Sequence, residues 1–275
     1  MIRGHPPPFR PNRELPVFRL QADQLQHLEQ GLVTQFGQEL QAHAREFAPA
    51  LTQLMGPQAL AAVVELAQQR AAAHGLDCRG AVRFYLELML LLGSACDSDP
   101  QYLALLGPGL ADRDSSALER ADYLHEILLA YIDAVSGAGH ALEAAAAQAG
   151  LQWEFERLLA LAQRPPGEWV GALAAAWPAK AKVVGPPALE ALVRAAQAQA
   201  GEWAQQRGPA WHGAAPLLAA LMLSFGHGWL QDPQFGWLSQ TLQGPPGEPA
   251  ESALRRLHRR YMAFLQQTRD QLAAP

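Results

Sequence analysis

β-Branched side chains are scarce: Val, Ile and Thr together number 17 of 275 residues. A sheet protein of this length would need many more of them to fill its pleated faces. Cysteine is scarcer still. Two thiols, Cys78 and Cys96, make neither a disulfide framework nor a metal site. Basic charge is in deficit, with 21 Lys and Arg against 26 Asp and Glu and a net charge of −5. A general nucleic-acid binder needs the opposite balance to neutralise phosphates. Long apolar runs are missing as well. Gly208 to Gln231 contains no Asp, Glu, Lys or Arg, but Pro209, His212, Pro216 and His227 interrupt it. Its continuous part, Ala214 to Phe225, is too short to span a bilayer. It reads as a buried helix, and no membrane insertion is expected.

What is abundant is Ala and Leu, about a third of the chain, so the fold class is all-α. Met1 to Pro16 carries Arg3, Arg10 and Arg13 among five prolines. It has no apolar core of a secretory signal and reads as an extended arm, because proline blocks helix. The expected location is the cytoplasm, with both thiols reduced.

Helix signals then follow in series. Leu25, Leu28, Leu32, Phe36 and Leu40 recur at three- and four-residue spacing and predict a helix over about 22–47. Pro57 suits a helix start, and Gly75 a helix end after His74. Arg79 to Leu92 is apolar nearly all round, as a central helix would be, and Gly93 stops it. Asp99-Pro100 reads as an N-cap with proline at the first helical position. Ser116 and Glu119 have capping-box spacing. Further helices are predicted near 187–206, 213–226, 233–242 and 250–272.

The chain also resembles itself. Gly56-Pro57-Gln58-Ala59-Leu60 recurs as Gly185-Pro186-Pro187-Ala188-Leu189. At an offset of 133, Leu88-Met89-Leu90 matches Leu221-Met222-Leu223, Gly93 matches Gly226, and Asp99-Pro100-Gln101 matches Asp232-Pro233-Gln234. Ala117-Leu118 later matches Ala253-Leu254. Collinear matches of Gly, Met and Asp-Pro-Gln point to two pseudo-repeated helical bundles joined by internal duplication. The expected organisation is a proline-rich arm over 1–20, a first bundle over 21–138 and a second over 139–275.

The halves differ in content. All seven Trp lie between Trp153 and Trp237. The last helix carries Arg255, Arg256, Arg259 and Arg260, where its counterpart carries Glu119, Asp122 and Glu126. Trp and Arg favour interface anchors, so Trp229, Trp237, Arg255, Arg256 and Arg259 are the expected partner-binding residues.

Catalytic and metal signals are sparse. Asp122 and His125 have i, i+3 spacing, and Glu65 and Glu87 could complete part of a helical di-iron set. The second half lacks the matching pair, so Glu119, Asp122 and Glu126 read as a solvated face. There is no Gly-x-Ser-x-Gly elbow and no Walker loop. Ser94 and Ser224 lie at helix ends without an evident base. His74 and His227 adjoin helix-ending glycines, where a histidine can bond free carbonyls. No catalytic residue, metal or cofactor is expected, and no enzyme; a helical enzyme or metal-binding protein is the second alternative to the binding reading.

One resemblance comes from the first half. His74-Gly75-Leu76, then Tyr85, Leu88, Met89 and Gly93, then Asp97-Ser98-Asp99-Pro100 resemble a family of small helical bacterial proteins. Those proteins are often encoded beside type VI secretion spike, PAAR-tip and toxin genes. The resemblance covers about residues 22–135 and lapses in the second half, where Leu218 and Leu230 replace Tyr85 and Asp97. It implies a protein-binding accessory, an adaptor or chaperone for a secreted effector, with an immunity protein as the alternative. The implied partner is an effector, toxin or spike protein.

Overall fold

The computed structural model describes residues 22–245 and 247–272, with side chains from Gly31 onward except Leu32. The proline-rich arm lies outside the described residues. Among the described residues the fold is all-α, without a strand.

The first half runs through α1 (Ala22–Phe47), α2 (Pro49–Ala73), α3 (Arg79–Leu92), α4 (Leu103–Ala111) and α5 (Ala117–Ser136). Short helices α6 (Ala141–Gly150), α7 (Phe155–Leu161), α8 (Pro166–Ala176) and α9 (Pro178–Val184) follow. The second half continues with α10 (Pro186–Arg207), α11 (Ala215–Phe225), α12 (Gly236–Ser239) and α13 (Ala250–Leu272). Short 3₁₀ segments fill some of the connections.

The helix boundaries follow local chemistry. Ser116 and Glu119 form the reciprocal capping box that starts α5. On α3, nine of the 14 residues are buried, and on α11 every residue but Ser224 is buried. These largely apolar helices lie at the centres of two cores. One core spans residues 40–135 and the other residues 153–265, and Trp177 and Val184 pack against both. α13 is amphipathic: Leu254, Leu257, Tyr261 and Leu265 face inward at helical spacing, while Arg259 and Arg260 face out.

Pro57 opens a helical stretch as expected; a shorter one from Pro49 precedes it, and Gly56 breaks the geometry between them at φ 79°, ψ 170°. Gly185 repeats this at φ 80°, ψ 163°, again before a proline. Ala48 and Trp177, each preceding a proline, share φ −134° with ψ 65° and 75°. Gly93 and Gly226 end α3 and α11 at φ 91° and 87°. At the positive φ of Gly56, Gly185, Gly93 and Gly226 an L-residue is strained, and glycine is not.

Candidate functional site

The polar groups that could carry chemistry gather at three places: a seam between the halves, a cluster around Asp97, and an open groove in the second half.

At the seam, the two Asp-Pro-Gln segments cross. Asp232 accepts the Ser94 N–H at 2.6 Å and the Ser94 hydroxyl at 2.7 Å, just past the end of α3. Gln234 donates to the Met89 carbonyl at 2.8 Å. In the opposite direction, Asp99 accepts the His227 N–H at 2.7 Å, and Gln101 donates to the Met222 carbonyl at 3.0 Å. Each carboxylate also caps its own segment, through the Gln101 and Gln234 N–H groups. The approach is close: a Cβ on Gly93 would stand 2.7 Å from the Phe225 carbonyl oxygen.

The two carboxylates differ electrostatically because Ser94 occupies the place that His227 takes in the other half. Burial raises the Asp99 carboxyl, but bonds from His227 and Gln101 outweigh it and hold it below its ordinary value. His227 Nδ1 stands 3.4 Å from the same carboxylate. Asp232 is bonded by Ser94 and Gln234 only, and there burial wins and pushes its carboxyl up.

Lys180 on α9 is buried beside this seam. Its Nζ donates to the Leu223 carbonyl at 2.6 Å and the Tyr102 hydroxyl at 3.1 Å, and lies over the Trp177 ring. Burial pulls the ammonium down to about 8, and Asp99 opposes that only in part. A lysine on an Ala-Lys-Ala-Lys stretch reads as exposed; no local signal marks its burial.

In the first half Asp97 gathers three partners. Its Oδ1 accepts from Arg70 at 2.5 Å; its Oδ2 pairs with His74 Nε2 at 2.9 Å and accepts the Tyr85 hydroxyl at 2.8 Å. Burial raises this carboxyl, and the three partners together bring it below its ordinary value. The His74 side chain therefore serves Asp97 and not the carbonyls ending α2, as its position suggested. The α2 end is met by the Gly75 and Leu76 N–H groups and by Arg120, which donates to the His74 carbonyl and also to the Gly109 and Leu110 carbonyls of α4. Neighbouring Cys96 is buried, which pushes its thiol up and away from reactivity.

The residues expected to bind a partner fall into different environments. Trp229 is 1% exposed, a core side chain that presents no surface. Apolar bulk beside a helix end buried it, and sequence alone could not separate that from an interface anchor. Trp237 is half-buried, stacked on Phe264 with Arg260 over its ring. Arg255 pairs with Glu156 and Glu251. Arg256 donates to the Thr241 and Gln243 carbonyls and pairs with Glu248. It stands where the Ala117/Ala253 match places Arg120, and both arginines fold back onto the preceding carbonyls. Only Arg259 of the three is exposed and without a partner among the described residues.

Asp122, His125 and Glu126 are exposed on α5, and Glu119 is spent on the capping box. Glu87 meets His43 at 2.6 Å instead of Asp122 or His125. Among the described residues no group of three or more His, Cys, Asp or Glu could hold a metal, and no helix is long and apolar enough to cross a membrane.

The groove lies between α6, α7 and α8 and has a volume of about 600 Å3. Five of its twelve lining residues are alanines, and Trp153, Arg157, Arg164 and Glu168 are among the others. A smaller pocket of about 120 Å3, shared with Trp153 and Ala176, opens between α6 and α13. Comparisons with family models, with curated proteins and with solved structures return no match.

Proposed function

We propose that this chain is a non-catalytic, protein-binding scaffold, built from two copies of one helical plan. The observation that supports it most is where the buried polar groups go. Asp97, Asp99, Asp232, Lys180 and Arg120 each terminate on helix ends or side chains of this chain. They rigidify the bundle. Ser224 and Tyr261 meet at 2.7 Å where they line the smaller pocket, and burial raises the Tyr261 hydroxyl, which makes it a poor base for the serine. The equivalent backbone angles at Gly56/Gly185 and Gly93/Gly226 and the crossed bonds at the seam support the two-copy plan.

The resemblance in the first half narrows the scaffold to an adaptor or chaperone of a secreted bacterial effector, acting in the cytoplasm. The test is co-purification of the tagged full chain from its native cytoplasm, followed by domain mapping. A stoichiometric protein partner engaged through its targeting region is the expected result; recovery of the chain alone contradicts the reading.

A second reading has its own observation. On α5, Leu118 and Leu129 are 55% and 53% exposed, and Asp122 and Glu126 are exposed on the same face. An apolar face with acidic flanks fits a basic catalytic surface on a toxin, which would make the chain an immunity protein. Such a chain protects cells that lack any secretion machinery, whereas an adaptor does not.

A further inference from the structure

We infer that the groove between α6, α7 and α8 is the docking site for an acidic amphipathic helix of a partner protein. The inference rests on the protein-binding reading and names its surface.

Three observations carry it. The first is charge. Arg157 and Arg164 line the groove, both are exposed, and neither side chain has a partner among the described residues. Arg255, Arg256 and Arg269 are instead held in ion pairs. Two unpaired cations face one acid, Glu168, on a chain of net charge −5. That is a local inversion of sign, and arginine forks suit carboxylates.

The second is relief. Ala160, Ala172 and the other lining alanines are short, so an incoming helix can bring its axis close and seat its own side chains. Most apolar residues of α11, behind α7 and α8, are already buried, and the groove itself has no covering element among the described residues.

The third is apolar contact. Trp153, Leu158 and Leu161 line the groove beside its alanines. They offer apolar contacts to the partner helix while carboxylates on its flanks reach Arg157 and Arg164. Apolar anchors at helical spacing with flanking charge are the usual form of helix-in-groove recognition.

The test is selection of displayed helical peptides on the full chain, followed by affinity measurement on the wild type and on Arg157→Glu/Arg164→Glu. Both positions are exposed, so folding is unaffected, which a thermal melt checks. Enriched peptides should carry Glu and Asp beside Leu or Phe at i, i+3, i+4 and i+7. They should lose at least tenfold in affinity on the variant and weaken with salt. Dodecanoate is measured in parallel as an anionic amphiphile. Neutral or basic peptides, equal affinity for the variant, no enrichment, or dodecanoate binding without peptide binding each overturn the inference. A native partner that still co-purifies with the variant overturns the groove alone; absence of any partner overturns the protein-binding reading beneath it.

Discussion

Asp99 and Asp232 each hold a helix end in the opposite half: Asp99 accepts the His227 N–H at 2.7 Å, and Asp232 accepts the Ser94 N–H at 2.6 Å. Two residues 133 positions apart thus perform one task for each other, on either side of a single seam. A buried N–H without an acceptor costs the full desolvation of the group. The seam is therefore held by exchange, and neither the Ser94 nor the His227 N–H keeps its carboxylate acceptor without the opposite half.

Asp99→Ala and Asp232→Ala should each cost about 1–3 kcal/mol, more than the roughly 1 kcal/mol of an exposed N-cap, because two buried donors lose their acceptor. Urea denaturation reads this directly. The Asp99 carboxyl is held below its ordinary value, so its contribution is present above the ordinary Asp range and lost as pH falls through the lower folded value. The penalty of Asp99→Ala should shrink in acid. A penalty under about 0.5 kcal/mol at neutral pH, typical of a surface change, contradicts the seam.

Glycine substitution separates strain from crowding. Gly56 at φ 79° has nothing within 4 Å of an added Cβ, whereas Gly93 at φ 91° places it 2.7 Å from a backbone oxygen. Gly56→Ala should cost about 1–3 kcal/mol from backbone strain alone, and Gly93→Ala measurably more. Equal melting temperatures for the two variants would show that the halves do not press together at α3.

Lys180 gives an alkaline signature. Its folded value is lowered to about 8 from 10.5. The native state thus binds fewer protons than the unfolded chain between those values, and this residue's contribution rises with pH there. Tyr85, Tyr102, Tyr131, Tyr261 and Cys96 are all raised by burial and act in the opposite sense above their ordinary values. The readout is therefore the stability of wild type minus that of Lys180→Met. That difference should rise from pH 8 to pH 10.5; a flat difference contradicts a buried ammonium.

The arginines of α13 are not equivalent. Arg256→Ala releases the Thr241 and Gln243 carbonyls and the Glu248 ion pair, and should lower stability by about 1–2 kcal/mol. Arg259→Ala should stay within about 0.5 kcal/mol. Thermal melts of the two single variants decide it. A triple change that includes Arg256 confounds binding with folding.

Much of the fold was legible because it is local chemistry. Helical spacing placed α1, α3 and α13, the Ser116–Glu119 box started α5, and the recurrence of Asp-Pro-Gln picked out the segments that meet at the seam. What those segments do for each other was not legible. Asp99 and Asp232 read as ordinary caps on their own turns, and their second bonds span 128 and 138 residues. Lys180 was hidden because burial of a charge depends on what closes over it. Trp229 misled for the converse reason: its composition fits an anchor, and only packing shows it filled from every side. Arg256 could have been read correctly, since the register that matches Ala117 with Ala253 also matches it with Arg120.

The most direct measurement of the central claim is site-specific photo-crosslinking in native cells, with the reactive side chain placed in turn at Ala160 in the groove, Leu118 on α5 and Arg259 on α13. A scaffold that works by binding should give one discrete protein adduct, and the groove reading expects it at Ala160. No protein adduct from any of the three positions, in cells where the chain is folded and abundant, contradicts the account.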